Sequence, residues 1–196
     1  MRKINSLLVF CGSKEGVNPQ YKEQAFLFGQ YLAEQQIKVV YGGAMIGVMG
    51  AVADGVLSKG GEITGVIPKF LSVKEIIHEN LTTTHVVNSM HERKLMMSEM
   101  CDAIVALPGG YGTLDELFEI LTWAQLGLHQ KPVGILNTEG YYDGLITFIN
   151  SMRENGFVAP VHQHILQMES DFHKLMNKLN HYISPPIPQW LHRDEV

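Results

Sequence analysis

The fold of this chain is decided by residues 103–120, AIVALPGGYGTLDELFEI. The first five residues form a short apolar run that ends at Pro108, which is typical of a buried strand in a parallel sheet. Glycines follow at positions 109, 110 and 112, and apolar residues then recur at helical spacing. The segment therefore predicts a strand over 103–107, a glycine-rich turn, and a helix over about 113–127.

The same strand and helix unit is repeated along the chain. Short apolar runs alternate with longer segments of helical period, which is the pattern of a parallel sheet covered on both faces. We therefore predict an α/β fold, Rossmann-like, with three α/β/α layers around a central parallel sheet. The predicted strands are 6–10, 37–41, 63–67, 103–107 and 133–136, and the predicted helices are about 18–35, 46–58, 89–100, 113–127, 142–153 and 169–182.

The length of 196 residues suits one domain with a single core. We predict one nucleotide-binding domain over residues 1–183, because no linker or internal repeat interrupts the alternation. Residues 184–196 form a separate tail, in which Pro185, Pro186 and Pro188 prevent a helix and favour an extended course.

Composition limits the partners and the compartment. The formal net charge is −5, which argues against a nucleic-acid or anionic-membrane surface, since these partners select clustered Lys and Arg. No run approaches the roughly 20 apolar residues that a membrane span requires. Only two cysteines occur, Cys11 and Cys101, so no disulfide framework is expected. These features predict a cytoplasmic protein.

Glycine-bearing turns follow three of the predicted strands. They contain Gly12-Ser13, residues 42–47 and residues 108–113. In an open parallel sheet, ligands collect at the carboxyl ends of the strands, where helix N-termini present free N–H groups to anions. Neither the P-loop spacing nor a strict G-x-G-x-x-G occurs, so ATPase and NAD hypotheses lose their main support. A monophosphate is the simpler ligand.

The spacing of Thr113 and Glu116 allows two interpretations. In a capping box, Thr113 caps the helix and Glu116 reaches back to it. Alternatively, a carboxylate one turn beyond a phosphate-binding N-terminus faces the ribose of a bound nucleotide. The residues alone leave both open.

A basic pair, Arg93-Lys94, opens the predicted helix before the strand at 103–107. Such pairs often form a solvated face, but this one stands in an acidic chain, on a helix followed directly by the strand that ends at the glycine turn, which favours contact with the ligand. No metal-ligand spacing such as H-E-x-x-H occurs, so no metal site is predicted.

Taken together, these motifs resemble the cytokinin-activating "Lonely guy" phosphoribohydrolases, which older usage describes as lysine decarboxylases. The resemblance spans nearly the whole chain. It rests on Arg93-Lys94 and on P-G-G-x-G-T-x-x-E, residues 108–116, with support from Cys11-Gly12-Ser13 and the second glycine turn. In that turn Ala44 stands where the family usually has a third glycine, and a positive φ there would strain an alanine.

The resemblance implies a function and a site. Arg93 and Glu116 would be the catalytic pair of an enzyme that hydrolyses the N-glycosidic bond of a purine or cytokinin nucleoside 5′-monophosphate. It also implies a homodimer, for which the apolar helix 117–128 with Trp123 offers a contact surface, and no cofactor. The predicted substrate-binding residues are Gly12, Ser13, Gly43, Glu75, Met90, Lys94, Gly109, Gly110, Tyr111, Gly112, Thr113 and Thr122.

Three other functions compete with this one. An AMP nucleosidase with no role in cytokinin activation would differ only in its base pocket. A non-catalytic nucleotide-binding or carrier protein on the same fold would return its nucleotide intact. A lysine decarboxylase would need pyridoxal phosphate on a lysine with an acidic partner, and no lysine at a strand end fills that role.

Overall fold

The computed structural model describes residues 3–72 and 77–186. Their strands form one seven-stranded sheet in the order β4-β3-β2-β1-β5-β6-β7, and every neighbouring pair is parallel. The predicted parallel α/β sheet is confirmed. The strands are β1 (Ser6–Phe10), β2 (Lys38–Tyr41), β3 (Ile63–Pro68), β4 (Thr83–Val87), β5 (Ala103–Ala106), β6 (Val133–Leu136) and β7 (Leu166–Glu169).

Six α-helices cover the two faces of the sheet in the described part of the chain. Asn18 Oδ1 accepts a hydrogen bond from the Gln20 N–H at 3.0 Å and so caps the first helix, as the Asn-Pro pair predicts. The helices are α1 (Gln20–Glu34), α2 (Gly47–Ser58), α3 (Met90–Glu99), α4 (Tyr111–Gln125), α5 (Asp143–Glu154) and α6 (Phe172–Asn180). No helix of residues 3–72 and 77–186 has both the length and the hydrophobicity for crossing a membrane.

Side chains of β1 show how the layers form. Leu7 and Val9 belong to one apolar cluster, with residues of α1, α2 and α6, whereas Leu8 and Phe10 belong to the other. The second cluster includes residues of α3, α4 and α5. Because successive strand residues point to opposite faces, one short apolar run supplies both cores. Each such leucine contributes about 2 kcal/mol by its burial.

Two edge strands are absent from the sequence prediction. Residues of β4 are largely exposed, and its Thr83-Thr84-His85 start gives no continuous apolar run. Edge strand β7 buries only Leu166, and the prediction assigned its last residue to a helix over 169–182. That helix begins at Phe172, because Asp171 caps it by accepting the Lys174 N–H at 2.9 Å.

The order of the strands reverses between β1 and β5. The chain runs outward from β1 through β2 and β3 to β4, then returns beside β1 and continues outward through β6 to β7. Parallel sheets bind ligands at such switch points, beyond the carboxyl ends of the strands. The glycine turns after β1 and β5 meet there, where the Gly12 N–H donates to Pro108 O at 3.0 Å. Residues 187–196 of the predicted tail lie outside the described residues, and the domain division at residue 183 stays a prediction.

Candidate active site

A cavity of about 470 Å³ opens at the switch point. It has a size typical of small-molecule sites. Its walls come from the turns after β1 and β5, the starts of α2, α3 and α4, and the side chains of Tyr21, Leu71 and Tyr141. The residues predicted for the site that line it are Gly12, Ser13, Met90, Arg93, Gly109, Gly110, Tyr111, Gly112, Thr113 and Glu116.

The glycine turn after β5 presents the free N-terminus of α4 to this cavity. The helix begins at Tyr111 after Gly110, and no side chain caps it. The N–H groups of its first turn have no partner within the helix, and the helix dipole favours an anion beside them. A Cβ on Gly109 would overlap the Thr113 hydroxyl and lie 2.8 Å from Gly12 N, so only glycine fits there.

The capping-box interpretation of Thr113 and Glu116 is wrong. Thr113 lies inside the first turn of α4 and is buried, two residues after the helix begins. Glu116 therefore does not reach back to the N-cap, and its carboxylate instead pairs with Arg93. The alternative, a carboxylate facing the ligand cavity, agrees with its place in the wall.

The other two glycine turns differ from the expected anion sites. The Val48 and Met49 N–H groups at the start of α2 donate to Lys14 O at 3.3 Å and to Gly12 O at 3.1 Å, so they are already engaged. No helix directly follows the first turn, since α1 begins at Gln20. Gly43 does not line the cavity, and its carbonyl accepts the His78 N–H. The second turn therefore supports the first.

Ala44 carries no backbone strain. Within residues 3–72 and 77–186, the non-glycine residues with positive φ are Gln36 and Glu139. The left-handed conformation of the second turn falls on Gly43, at φ 86°, and Gly47, at φ 65°. The alanine that departs from the family pattern is buried in ordinary backbone geometry.

Arg93 and Glu116 form a buried ion pair in the cavity wall. Arg93 Nη1 lies 3.1 Å from Glu116 Oε1, and the two side chains are 7% and 5% exposed. Arg93 Nε donates to Val66 O at 2.9 Å, which anchors the guanidinium to the end of β3. Helices α3 and α4 thus bring together two residues separated by a strand and a turn. The pairing fixes the direction of the Glu116 carboxylate.

Burial raises the pKa of the Glu116 carboxyl to about 7, although the nearby Arg93 and Lys94 charges lower it. Asp115 and Glu119 raise it further. A carboxyl with a pKa near neutrality can accept and release a proton at the pH of a cell. In contrast, burial raises the pKa of the neighbouring Cys11 thiol far above its ordinary value, so this thiol stays protonated and is not a nucleophile.

Lys94 does not line the cavity. Its ammonium group lies 3.0 Å from Asp115 Oδ2 and 2.9 Å from Glu119 Oε2, between α3 and α4. Burial lowers the pKa of Lys94, but the hydrogen bonds and the negative charges of Glu119 and Asp115 together raise it above its ordinary value. In this chain the lysine holds two carboxylates near Glu116, and it does not line the predicted nucleotide site.

Two other predicted residues lie elsewhere. Thr122 lies on the exposed side of α4, where its hydroxyl donates to Phe118 O at 2.7 Å, and it lines a second cavity of about 130 Å³. Glu75 lies outside the described residues.

Sequence reasoning missed several residues of the wall. Tyr21 and Tyr141 contribute aromatic rings, and Met49 and Leu71 contribute apolar side chains. The sequence does offer a sign that Tyr141 lies near the site, because this residue follows a glycine in the turn after the predicted strand at 133–136. For Tyr21, on the first turn of α1, the sequence offers no comparable signal.

A switch-point crevice, a free helix N-terminus and a buried Arg-Glu pair define an α/β protein that can hold an anion beside a carboxylate. Residues 49–179 match the family model described as "Possible lysine decarboxylase". The chain is 45% identical to cytokinin riboside 5′-monophosphate phosphoribohydrolase LOG1 of Arabidopsis thaliana, over 92% of this chain and 85% of the relative. It is 44% identical to a probable enzyme of the same name, LOGL9, from Oryza sativa subsp. japonica, over 92% and 80%. The chain therefore belongs to the Lonely guy family.

Solved structures show the same fold in more distant proteins. The molybdenum cofactor binding protein of Rippkaea orientalis has a TM-score of 0.67 at 21% identity, covering 90% of this chain and 95% of the other. The molybdenum cofactor carrier protein of Chlamydomonas reinhardtii has a TM-score of 0.68 at 18% identity, covering 91% and 98%. At this identity the likeness concerns the fold alone.

Proposed function

We propose that this chain hydrolyses the N-glycosidic bond of cytokinin riboside 5′-monophosphates, releasing the free base and ribose 5-phosphate. The names of its relatives state this activity. The observation that carries the proposal is the buried Arg93–Glu116 pair, which opens into the same cavity as the free N-terminus of α4.

The phosphate is bound at the N-terminus of α4. The first-turn N–H groups at Gly110, Tyr111 and Gly112 offer several donors to one anion, and the dipole of this four-turn helix adds up to about 1 kcal/mol. Glu116 follows Tyr111 by five residues, which is about 7.5 Å along a helix axis. Because the turn and Glu116 line the same cavity, a phosphate bound at the turn places the ribose within the cavity that Glu116 lines.

Glu116 carries the chemical step. Cleavage passes through an oxocarbenium-like state with positive charge on the ribose, which the ionised carboxylate stabilises. The carboxylate also takes a proton from the attacking water, whose oxygen forms the new bond to C1′. The electron pair of the C1′–N bond leaves with the base, which takes up a proton from solvent. A pKa near 7 lets Glu116 accept this proton and return it to solvent.

Arg93 directs the carboxylate without exchanging protons. A guanidinium stays charged at every physiological pH, so it is no general acid. Its contact with Val66 O and its ion pair with Glu116 keep one carboxylate oxygen in place. The same charge lowers the pKa of Glu116 and so keeps more of it ionised.

Apolar side chains in the cavity suit an N6-prenyl substituent. Met49, Leu71 and Met90 line the walls together with Val48. A prenyl group buried against them gains about 25 cal/mol for each Å² of apolar surface removed from water. This lining favours a prenylated base over plain adenine.

The test is to incubate the pure protein with AMP and with N6-isopentenyladenosine 5′-monophosphate, following free base and ribose 5-phosphate by chromatography. Glu116→Gln should lose about 10²- to 10⁴-fold in rate, because it keeps the shape and removes the charge. Glu119→Gln, one turn further along α4 and outside the cavity, should keep most of the activity.

The rates of base release from the two nucleotides distinguish the hypotheses. Faster release from the prenylated nucleotide supports the proposal, whereas release from AMP alone supports an AMP nucleosidase. Tight binding of both nucleotides without release of base would contradict the hydrolase proposal and support a nucleotide-binding or carrier protein.

We also infer that two copies of the chain pair through α4. The homodimer follows from the resemblance to the family, and Phe118, Leu121 and Trp123 are only partly buried within one chain. Thr122 would then lie at the interface, where its role in nucleotide binding stays a prediction. Light scattering should give twice the mass of one chain, and a monomeric active protein would contradict the inference.

A cytoplasmic location fits the cysteines. Cys11 and Cys101 are both buried free thiols. Thiols persist in reducing compartments, whereas secreted domains tend to oxidise them. Fluorescence microscopy of a tagged chain tests this location, and secretion into the medium would contradict it.

A further inference from the structure

Three consecutive carbonyl groups of the turn after β5 each accept a hydrogen bond. The Tyr142 hydroxyl donates to Leu107 O at 2.6 Å, the Gly12 N–H donates to Pro108 O at 3.0 Å, and the Tyr141 hydroxyl donates to Gly109 O at 2.6 Å. We infer that Tyr141 is a positioning residue that orients the phosphate-binding turn. This inference rests on the proposed function, because it concerns the same site.

The planarity of the peptide bond explains how a hydroxyl can orient an N–H group. Gly109 C=O and Gly110 N–H belong to one peptide unit and point in opposite directions. When the Tyr141 hydroxyl holds the carbonyl, it also fixes the direction of the Gly110 N–H, the first donor of the free N-terminus of α4.

This peptide unit is the part of the turn that most needs support. Gly109 and Gly110 flank it, and glycine has the widest choice of backbone conformation. A Cβ on Gly110 would meet nothing within 4 Å, so open space lies on that side of the unit. Rotation of this unit would turn the Gly109 carbonyl towards the phosphate and repel it. Tyr141 therefore excludes the conformation that is unfavourable for an anion.

The position of Tyr141 is itself fixed by its surroundings. Its ring lies edge-on to Tyr21, with centroids 5.3 Å apart, and edge-on to Tyr142, at 4.8 Å. The Tyr142 N–H donates to Asn137 Oδ1 at 2.7 Å, and Glu139 and Gly140 have positive φ values of 52° and 70°. This tight turn after β6 aims the hydroxyl at Gly109 O.

The test compares Tyr141→Phe with the unaltered protein. Phenylalanine keeps the ring contacts and removes only the hydroxyl, on a side chain that is 42% exposed. The KM for the nucleoside 5′-monophosphate should rise about tenfold, as for the loss of a hydrogen bond that supports a charged ligand. The inhibition constant of inorganic phosphate should rise by the same factor, while kcat and Tm stay unchanged.

Tyr31→Phe is the matched control. Tyr31 packs on Phe172 and does not line the cavity, so removal of its hydroxyl should leave KM unchanged. An unchanged KM and phosphate constant in Tyr141→Phe, or a fall in kcat alone, would overturn the inference.

Binding of inorganic phosphate to the Gly110 amide, followed by NMR, separates this inference from the proposed function. Weaker phosphate binding in Tyr141→Phe supports the role of Tyr141 even if the unaltered protein releases no base. Equal binding in both proteins refutes it even if the enzyme is active.

Discussion

Gly42 lies directly against the guanidinium of Arg93, so closely that a Cβ on Gly42 would overlap Nη2. The glycine of the second turn therefore contributes to the site without contacting the ligand. It leaves the space in which the Arg93 guanidinium reaches Glu116.

Gly42→Ala should reduce kcat by about tenfold to a hundredfold, because a shift of the guanidinium misplaces the Glu116 carboxylate. Steady-state kinetics with the prenylated nucleotide measures this loss, and KM should change little. Gly144→Ala is the matched control, since a Cβ there meets nothing within 4 Å in α5. Equal kcat values in the two variants would show that Arg93 does not depend on Gly42.

The pH profile of kcat/KM should show an acidic limb near pH 7, because the pKa of the free Glu116 carboxyl is raised to about 7 and the base must be ionised. Activity should thus rise as the pH increases through 7. Initial rates at low substrate between pH 5 and 9 give the profile. A limb near pH 4.5, the ordinary value for Glu, would show that burial does not control this carboxyl.

The free energy of unfolding should also depend on pH through the Glu116 carboxyl. The folded protein holds the Glu116 proton more tightly than the unfolded chain, so this group stabilises the fold fully below pH 4.5 and loses that contribution as the pH rises through about 7. Glu116→Gln does not titrate. Its free energy of unfolding, measured by urea titration, should therefore depend less on pH between 5 and 8 than that of the unaltered protein.

Arg93→Met should move the acidic limb to higher pH. The Arg93 charge lowers the pKa of Glu116 and so offsets part of the increase that burial causes. Without this charge, the pKa of Glu116 should rise further. The maximal rate should also fall about a hundredfold, since the carboxylate loses the group that positions it. A limb that stays at the same pH in Arg93→Met would contradict the ion pair in solution.

The sequence predicted the centre of the sheet because each central strand is a short apolar run, as in Ala103–Leu107. It did not predict β4 and β7, since a strand at the edge of a sheet buries only some of its residues and so lacks that pattern. The partnership of Arg93 and Glu116 came from the family resemblance, because nothing in their spacing shows that α3 and α4 meet. The direction of the Tyr141 hydroxyl depends on the backbone conformation of the preceding turn, which cannot be inferred from the residue types.

Ala44→Gly tests the position at which the family usually has a third glycine. Because Ala44 is fully buried and has no positive φ, Ala44→Gly should give the protein no better phosphate site. It should lower the free energy of unfolding by about 0.5–1 kcal/mol, since glycine loses more backbone freedom on folding. Thermal unfolding and steady-state kinetics on the same preparation measure both quantities. A gain in affinity for the nucleotide would show that the third glycine of the family contributes directly to binding. It would contradict the proposal that the phosphate is held by the free N-terminus of α4 alone.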